Sequence, residues 1–168
     1  MDLNQVLNQP YTKATTQKVV RELISNPNKL DELFKVFQYN NVRVCNYAGW
    51  IISYIGEKKP ELLYKYLPVV IQKLEDKEHS QALIRNIFRT LQFVDIPEKQ
   101  EGFVLTKGFE FLNNNNSSIA VKVFAMTVIS NLSKKYPEIK NELKLSLENQ
   151  MEHASAGFKC RANKILKN

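Results

Sequence analysis

The sequence is poor in the residues that punctuate β structure. It has five glycines and six prolines in 168 residues, and no turn-rich strand pattern recurs, which disfavours an all-β fold. Its longest uncharged apolar stretch, residues 123–129, is far too short to span a bilayer. The first residues, MDLNQVLNQP, contain no basic segment followed by an apolar core, so no secretory signal is expected. Cysteine is scarce as well: Cys45 and Cys160 lie 115 positions apart without CxxC spacing. Reduced thiols in a cytoplasmic setting are expected, not a disulfide framework. The two histidines, His79 and His153, have no neighbouring cluster of cysteines or carboxylates, so a turn or capping role is expected rather than metal binding. There is no GxSxG, no phosphate-cradling glycine loop and no HExxH. No catalytic constellation, metal or cofactor is therefore expected.

What the chain does have is helical periodicity, clearest across residues 114–151. From Ile119 to Leu132 the apolar residues Val121, Phe124, Ala125, Val128, Ile129 and Leu132 recur in steps of three and one, the spacing of one helix face. Ser117 and Ser118 offer hydroxyls for its first amides. Tyr136-Pro137 ends it, because a residue before proline is pushed out of helical geometry. Pro137 then opens a second helix that carries Ile139, Leu143, Leu145 and Leu147 among Glu138, Lys140, Glu142 and Lys144 and is amphipathic. Neither helix can bury its stripe alone, so each needs the other and a neighbour.

Weaker copies of this unit fill the chain. Residues 1–11 read as a loose lead-in, and a capping helix is expected within residues 12–26, with Val19, Val20, Leu23 and Ile24 on one side. Helices follow over residues 30–37 and 42–55, the latter ended by Gly56. The next opens at Pro60 and is kinked at Pro68. Further helices cover residues 81–93, Pro97 to Leu112 and the last stretch, which buries Phe158, Ala162, Ile165 and Leu166. One domain of one cap and four hairpins results. Pro60, Pro97 and Pro137 open equivalent helices at intervals of 37 and 40, and Arg85, Lys122 and Lys159 recur every 37. Periods near 40 built from two helices mark HEAT or armadillo arrays.

On the residues LLYKYLPVVIQKL for a first helix, and NNVRV, HSQALIR, SSIAVK and SAGFK for second helices, the chain resembles the HEAT-repeat family over about residues 28–168. The resemblance implies an all-α fold, a right-handed α-α superhelix of about four HEAT-like hairpins behind an N-terminal capping helix. It also implies that the second helices line a concave binding face. In such repeats the basic residue of the second helix pairs with an Asp six residues earlier; here those positions hold Phe37, His79, Asn116 and His153. The basic side chains must find other partners or be free for a ligand.

Those side chains are Arg43, Arg85, Arg89, Lys122, Lys159 and Arg161. They are read either as a basic track for phosphates or an acidic segment, or as caps on neighbouring helix ends. Arg43, Tyr47, Trp50 and Tyr54 fall at steps of four, three and four along one helix face, where they could anchor a peptide, stack bases, or pack on the capping helix. The net charge is +7, and residues 114–168 hold nine basic and four acidic side chains. A non-catalytic module binding another protein is the leading expectation, with nucleic-acid binding second. A third is the activity of the HEAT-like glycosylases that excise alkylated bases, which use a Trp and an Asp; Trp50 here is followed one turn later by Tyr54.

Overall fold

A computed structural model describes residues 2–39, 41–76 and 80–167. These form ten α-helices and four short 3-10 segments, with no strand among the described residues. None of the helices is long and apolar enough to cross a membrane. The chain divides into two compact units, Met1–Ile96 and Pro97–Asn168.

Unit 1 contains α1 (Leu3–Leu7), α2 (Lys13–Ser25), a 3-10 turn Pro27–Lys29 running into α3 (Leu30–Tyr39), and α4 (Val42–Lys58). A 3-10 stretch Pro60–Tyr66 then leads into α5 (Leu67–Gln72), followed by α6 (Gln81–Leu91). The second helices α2, α4 and α6 pack side by side, and the first helices back them. Local chemistry fixes which is which. The second helices start on a side-chain cap: Thr12 accepts from Thr15 N, Asn41 from Val44 N and Ser80 from Leu83 N. First helices start at Pro27 and Pro60, whose missing amide costs nothing there. The core holds Leu23, Leu33, Phe37, Ile51, Ile55, Ile71, Ile87 and Phe88, all buried.

Several expectations are corrected in this unit. The lead-in is a helix: Asp2 caps the amide of Gln5, and Leu3 and Leu7, one turn apart, are both 0% exposed. A single turn offers too little periodicity to be seen in sequence, yet α1 packs against α3 and α4. Gly56 does not end its helix, which runs on to Lys58; a Cβ there would lie 3.2 Å from Thr90 Cγ2, so glycine permits α4 and α6 to approach. Pro68 does not kink a long helix but sits in the first turn of α5, after the 3-10 stretch. His79 and Asn40 lie outside the described residues.

Unit 2 contains α7 (Glu98–Asn113), α8 (Ile119–Leu132), a 3-10 turn Pro137–Ile139 entering α9 (Lys140–Met151), and α10 (Ala156–Leu166). Its second helices α8 and α10 are capped by Ser118 and Ser155. The core joins Leu112, Met126, Ile129, Leu143, Leu147, Phe158 and Ala162. Several expected core residues are not in it: Phe124, Ile165 and Leu166 are only partly buried, and Leu145 is 60% exposed. Met126, absent from the expected stripe, is 0% exposed. Helix α8 is apolar on most sides, so periodicity cannot choose its inner face, whereas packing against α7 on one side and α10 on another can.

Each unit carries the same clamp. The Tyr66 hydroxyl and Lys65 Nζ both donate to Asp31 Oδ1, at 2.5 and 3.0 Å; Tyr136 and Lys135 donate to Glu101 at 2.5 and 2.9 Å. Glu101 is 6% exposed. The hydrogen bond from Tyr136, and then Lys135, hold its carboxyl below the ordinary value of 4.5 against the opposing effect of burial. A depressed folded pKa stabilises the fold above the unfolded value and loses that contribution as pH falls through the folded one. The melting-temperature gap between wild type and Glu101→Gln should thus be largest near neutrality and shrink below about pH 4.5. A gap that stays constant into acid would show that the clamp's charge is not what stabilises it.

Candidate functional site

The described surface gives its candidate cations partners within the chain. Arg43 donates through its two terminal nitrogens to the carbonyls of Asn8 and Gln9, at 3.0 and 2.9 Å, and so closes the end of α1. Arg89 donates to Ser53 Oγ at 3.0 Å and to Glu57 at 2.6 Å. Arg85 reaches only its neighbour Asn86, at 3.3 and 3.4 Å, and is the most loosely held of the three. In unit 2, Lys122 Nζ donates to Gln150 Oε1 at 2.6 Å, Lys159 Nζ to the Glu152 carbonyl at 3.3 Å, and Arg161 to Thr127 Oγ1 at 3.1 Å. The capping alternative fits Arg43 and Lys159, whose acceptors are carbonyls at helix ends, while the other four bond side chains. The array thus does without the Asp partner: acceptors come from carbonyls, hydroxyls and amides on neighbouring elements.

The aromatic face of α4 divides. Tyr47 is 1% exposed, stacked under Tyr11 at 3.9 Å between ring centroids, so it supports the surface and does not present itself to a partner. That corrects its expected place among the accessible residues. Trp50 and Tyr54, one turn apart, are half-buried, with centroids 5.9 Å apart. Tyr11 lies 5.7 Å from Trp50 on the other side. The Arg89 guanidinium sits 4.4 Å from the centre of the Tyr54 ring, a cation–π contact that its bonds to Ser53 and Glu57 hold in place. A continuous row results, Tyr11–Trp50–Tyr54–Arg89, with Arg85 one turn before Arg89 on the same helix face. Rigid aromatics joined to a fixed guanidinium are the side chains that anchor protein interfaces. Tyr11 was not foreseen, because it stands ahead of the first recognisable stripe. The Thr12-x-x-Thr15 capping box right after it was the available signal that ordered chain begins there.

Sorting charge by helix layer shows what sorting by chain position hides. In unit 1 the second helices α2, α4 and α6 carry seven basic residues against Glu22 and Glu57, whereas the first-helix segments Leu3–Leu7, Pro27–Tyr39 and Pro60–Glu75 balance at four and four. In unit 2, α8 and α10 carry four basic residues and no acidic one, whereas α7 and α9 carry four basic and five acidic. Within each unit the positive charge belongs to the second helices.

Among the described residues no group of three or more His, Cys, Asp or Glu side chains could hold a metal ion. Cys45 is buried, its thiol directed at the Phe37 carbonyl at 3.2 Å, and Cys160 is exposed. His153 is exposed beside Glu152, at 3.8 Å.

Comparison with known proteins gives two findings. The model of the HEAT repeat domain family matches residues 3–168. Among solved structures, a designed armadillo repeat protein in complex with the peptide (KR)4 is similar, with a TM-score of 0.57 and 18% identity over 98% of this chain and 97% of that one. No curated protein matches. The all-α fold class of HEAT-like hairpins expected from the sequence is the one found, and the family match begins at α1, upstream of where the sequence resemblance starts.

Proposed function

Because the chain belongs to the HEAT repeat domain family, whose fold is typical of protein-binding scaffolds, we propose that it is a non-catalytic module that grips a segment of another protein on its second-helix face. The observation that carries this reading is the row Tyr11–Trp50–Tyr54–Arg89, half-buried aromatics braced by a guanidinium that is itself held by two acceptors. The similar armadillo structure holds a basic peptide. The second helices here carry the opposite requirement: seven basic residues against two acidic in unit 1 favour an acidic segment. Arg85, whose bonds among the described residues are long ones to Asn86, is the cation best placed to turn towards a carboxylate.

The nucleic-acid alternative needs several cations available to displace counterions from phosphates. Arg43, Arg89, Lys122 and Arg161 are instead occupied by acceptors within the chain, which favours the protein reading. The test uses anisotropy of a labelled acidic peptide. Trp50→Ala should weaken binding by at least about tenfold, the loss of one interface anchor. Arg85→Gln should weaken it less and flatten its salt dependence. Unchanged affinity in Trp50→Ala would remove this face as the site.

A further inference from the structure

The binding row of unit 1 is not uniform in charge. At one end Arg89 donates to Glu57 at 2.6 Å while its guanidinium lies over the Tyr54 ring. Glu57 stands one turn beyond Tyr54 on α4, so ring, cation and carboxylate form one set whose net charge is zero. The other acidic residue of these second helices, Glu22, is held by Lys29 at 2.8 Å.

One turn back along the row the balance differs. Gly49 of α4 faces Leu83 and Asn86 of α6, Ser53 meets Arg89, and Gly56 faces Thr90, so the two helices run parallel in a fixed register. Arg85 therefore falls level with Gly49 and Trp50. Among the described residues it has no carboxylate partner, only the long bonds to Asn86. One end of the row thus offers a cation already neutralised, and its middle offers one that is not.

The spacing of the rings sets what can lie along them. Tyr11, Trp50 and Tyr54 follow one another at 5.7 and 5.9 Å. Side chains on one side of an extended segment repeat at about 6.6 Å, so every second residue of such a segment meets one ring. A carboxylate laid on Trp50 has Arg85 to turn to it. A carboxylate laid on Tyr54 must displace Glu57 from Arg89 or stand beside it as a like charge, and either is unfavourable. An uncharged side chain there meets the ring without that conflict.

We infer that Glu57 is a selectivity determinant of this face: the row takes an extended segment of a partner protein with one acidic residue at the level of Trp50 and Arg85, and an apolar residue two positions away on Tyr54. The inference rests on the second-helix face being the peptide site, and adds which residue of the segment goes where. An all-acidic segment also binds, through Arg85, but less tightly.

The test is calorimetry on the full chain with two peptides, capped at both ends, whose residue order reads the same both ways: Leu-Ser-Glu-Ser-Leu and Glu-Ser-Glu-Ser-Glu. The direction of the bound chain then does not enter. Wild type should bind the first at least about threefold more tightly. Glu57→Gln keeps an acceptor for Arg89 but removes the charge; the triacidic peptide should gain at least about threefold and the preference should vanish or reverse. Glu57 is 44% exposed, so this variant should melt as the wild type does. Arg85→Gln should abolish the advantage of Leu-Ser-Glu-Ser-Leu over Leu-Ser-Gln-Ser-Leu. If Trp50→Ala weakens both peptides but Glu57→Gln leaves their ratio unchanged, the selectivity is overturned while the binding face stands. Loss of affinity for both peptides in Glu57→Gln would make Glu57 a brace for Arg89 instead. Two peptides that fail to bind, or that bind regardless of Trp50→Ala, would overturn the face and the inference with it.

Discussion

Replacing Ile129 with alanine is expected to destabilise unit 2 by about 2–5 kcal/mol. Ile129 is 0% exposed and stands in the cluster with Leu112, Met126, Leu143, Leu147, Phe158 and Ala162. The side chain fills space that α7 leaves open at Gly108, where a Cβ would lie 3.0 Å from Ile129 Cγ1 and 3.2 Å from Cδ1. That geometry makes the two positions a coupled pair. Gly108→Ala alone gains up to about 1 kcal/mol of helix propensity but must displace a packed isoleucine, an overpacking penalty of about 1–3 kcal/mol. In the Ile129→Ala background the obstacle is gone, and the added methyl enters the vacated volume. The double variant should therefore be more stable than the sum of the single effects by about 0.5–3 kcal/mol. Urea unfolding followed by circular dichroism measures all four corners of the cycle. Phe124→Ala, at a partly buried site, should cost clearly less than Ile129→Ala. A loss under about 0.5 kcal/mol at Ile129, or strict additivity with Gly108, would mean that this register of α7 on α8 is wrong.

Removing residues 152–168 should have the largest effect of all. It deletes α10, and with it Phe158 and Ala162, which are 2% and 0% exposed against Ile129, Leu143 and Leu147. The Arg161 bond to Thr127 goes too, leaving α8 without its second-helix neighbour in this unit. The apolar faces uncovered on α8 and α9 form one contiguous patch of the kind that drives association. Size-exclusion chromatography should show aggregates, and circular dichroism a loss of helix beyond the residues removed. A monomeric truncated protein whose remaining helix melts where it did before would contradict the packing described for unit 2.

Sequence reading reached the elements whose signals are strong and local. Proline starts at Pro60, Pro97 and Pro137 and the serine cap ahead of α8 placed helices correctly, because each is a direct response to the amide groups a helix leaves unpaired at its start. It failed where the signal was one turn long, as in α1, or apolar on all sides, as in α8. The partners of the basic residues were also out of reach. The Asn8 and Gln9 carbonyls that hold Arg43 lie 35 and 34 residues away in sequence, and main-chain acceptors leave no trace in residue identity. The candidate binding row was half visible: Trp50 and Tyr54 share a helix face by spacing, but Tyr11 and Arg89 come from other elements and meet them only in the folded unit. The charge bias was hidden for the same reason. Basic second-helix segments alternate along the chain with first-helix segments that are balanced or slightly acidic, and only folding gathers the second helices together within each unit.

Trp50 is the chain's one tryptophan and stands in the middle of the proposed binding row, so its fluorescence is the most direct probe of that row. The decisive measurement titrates the protein with an alternating Asp-Glu peptide and, separately, with the (KR)4 peptide seen in the similar armadillo structure. A saturable change in Trp50 emission with the acidic peptide, weakened by added salt and absent with (KR)4, is the predicted result. Preference for (KR)4, or no response to either peptide, would contradict an acidic protein segment as the partner of this face.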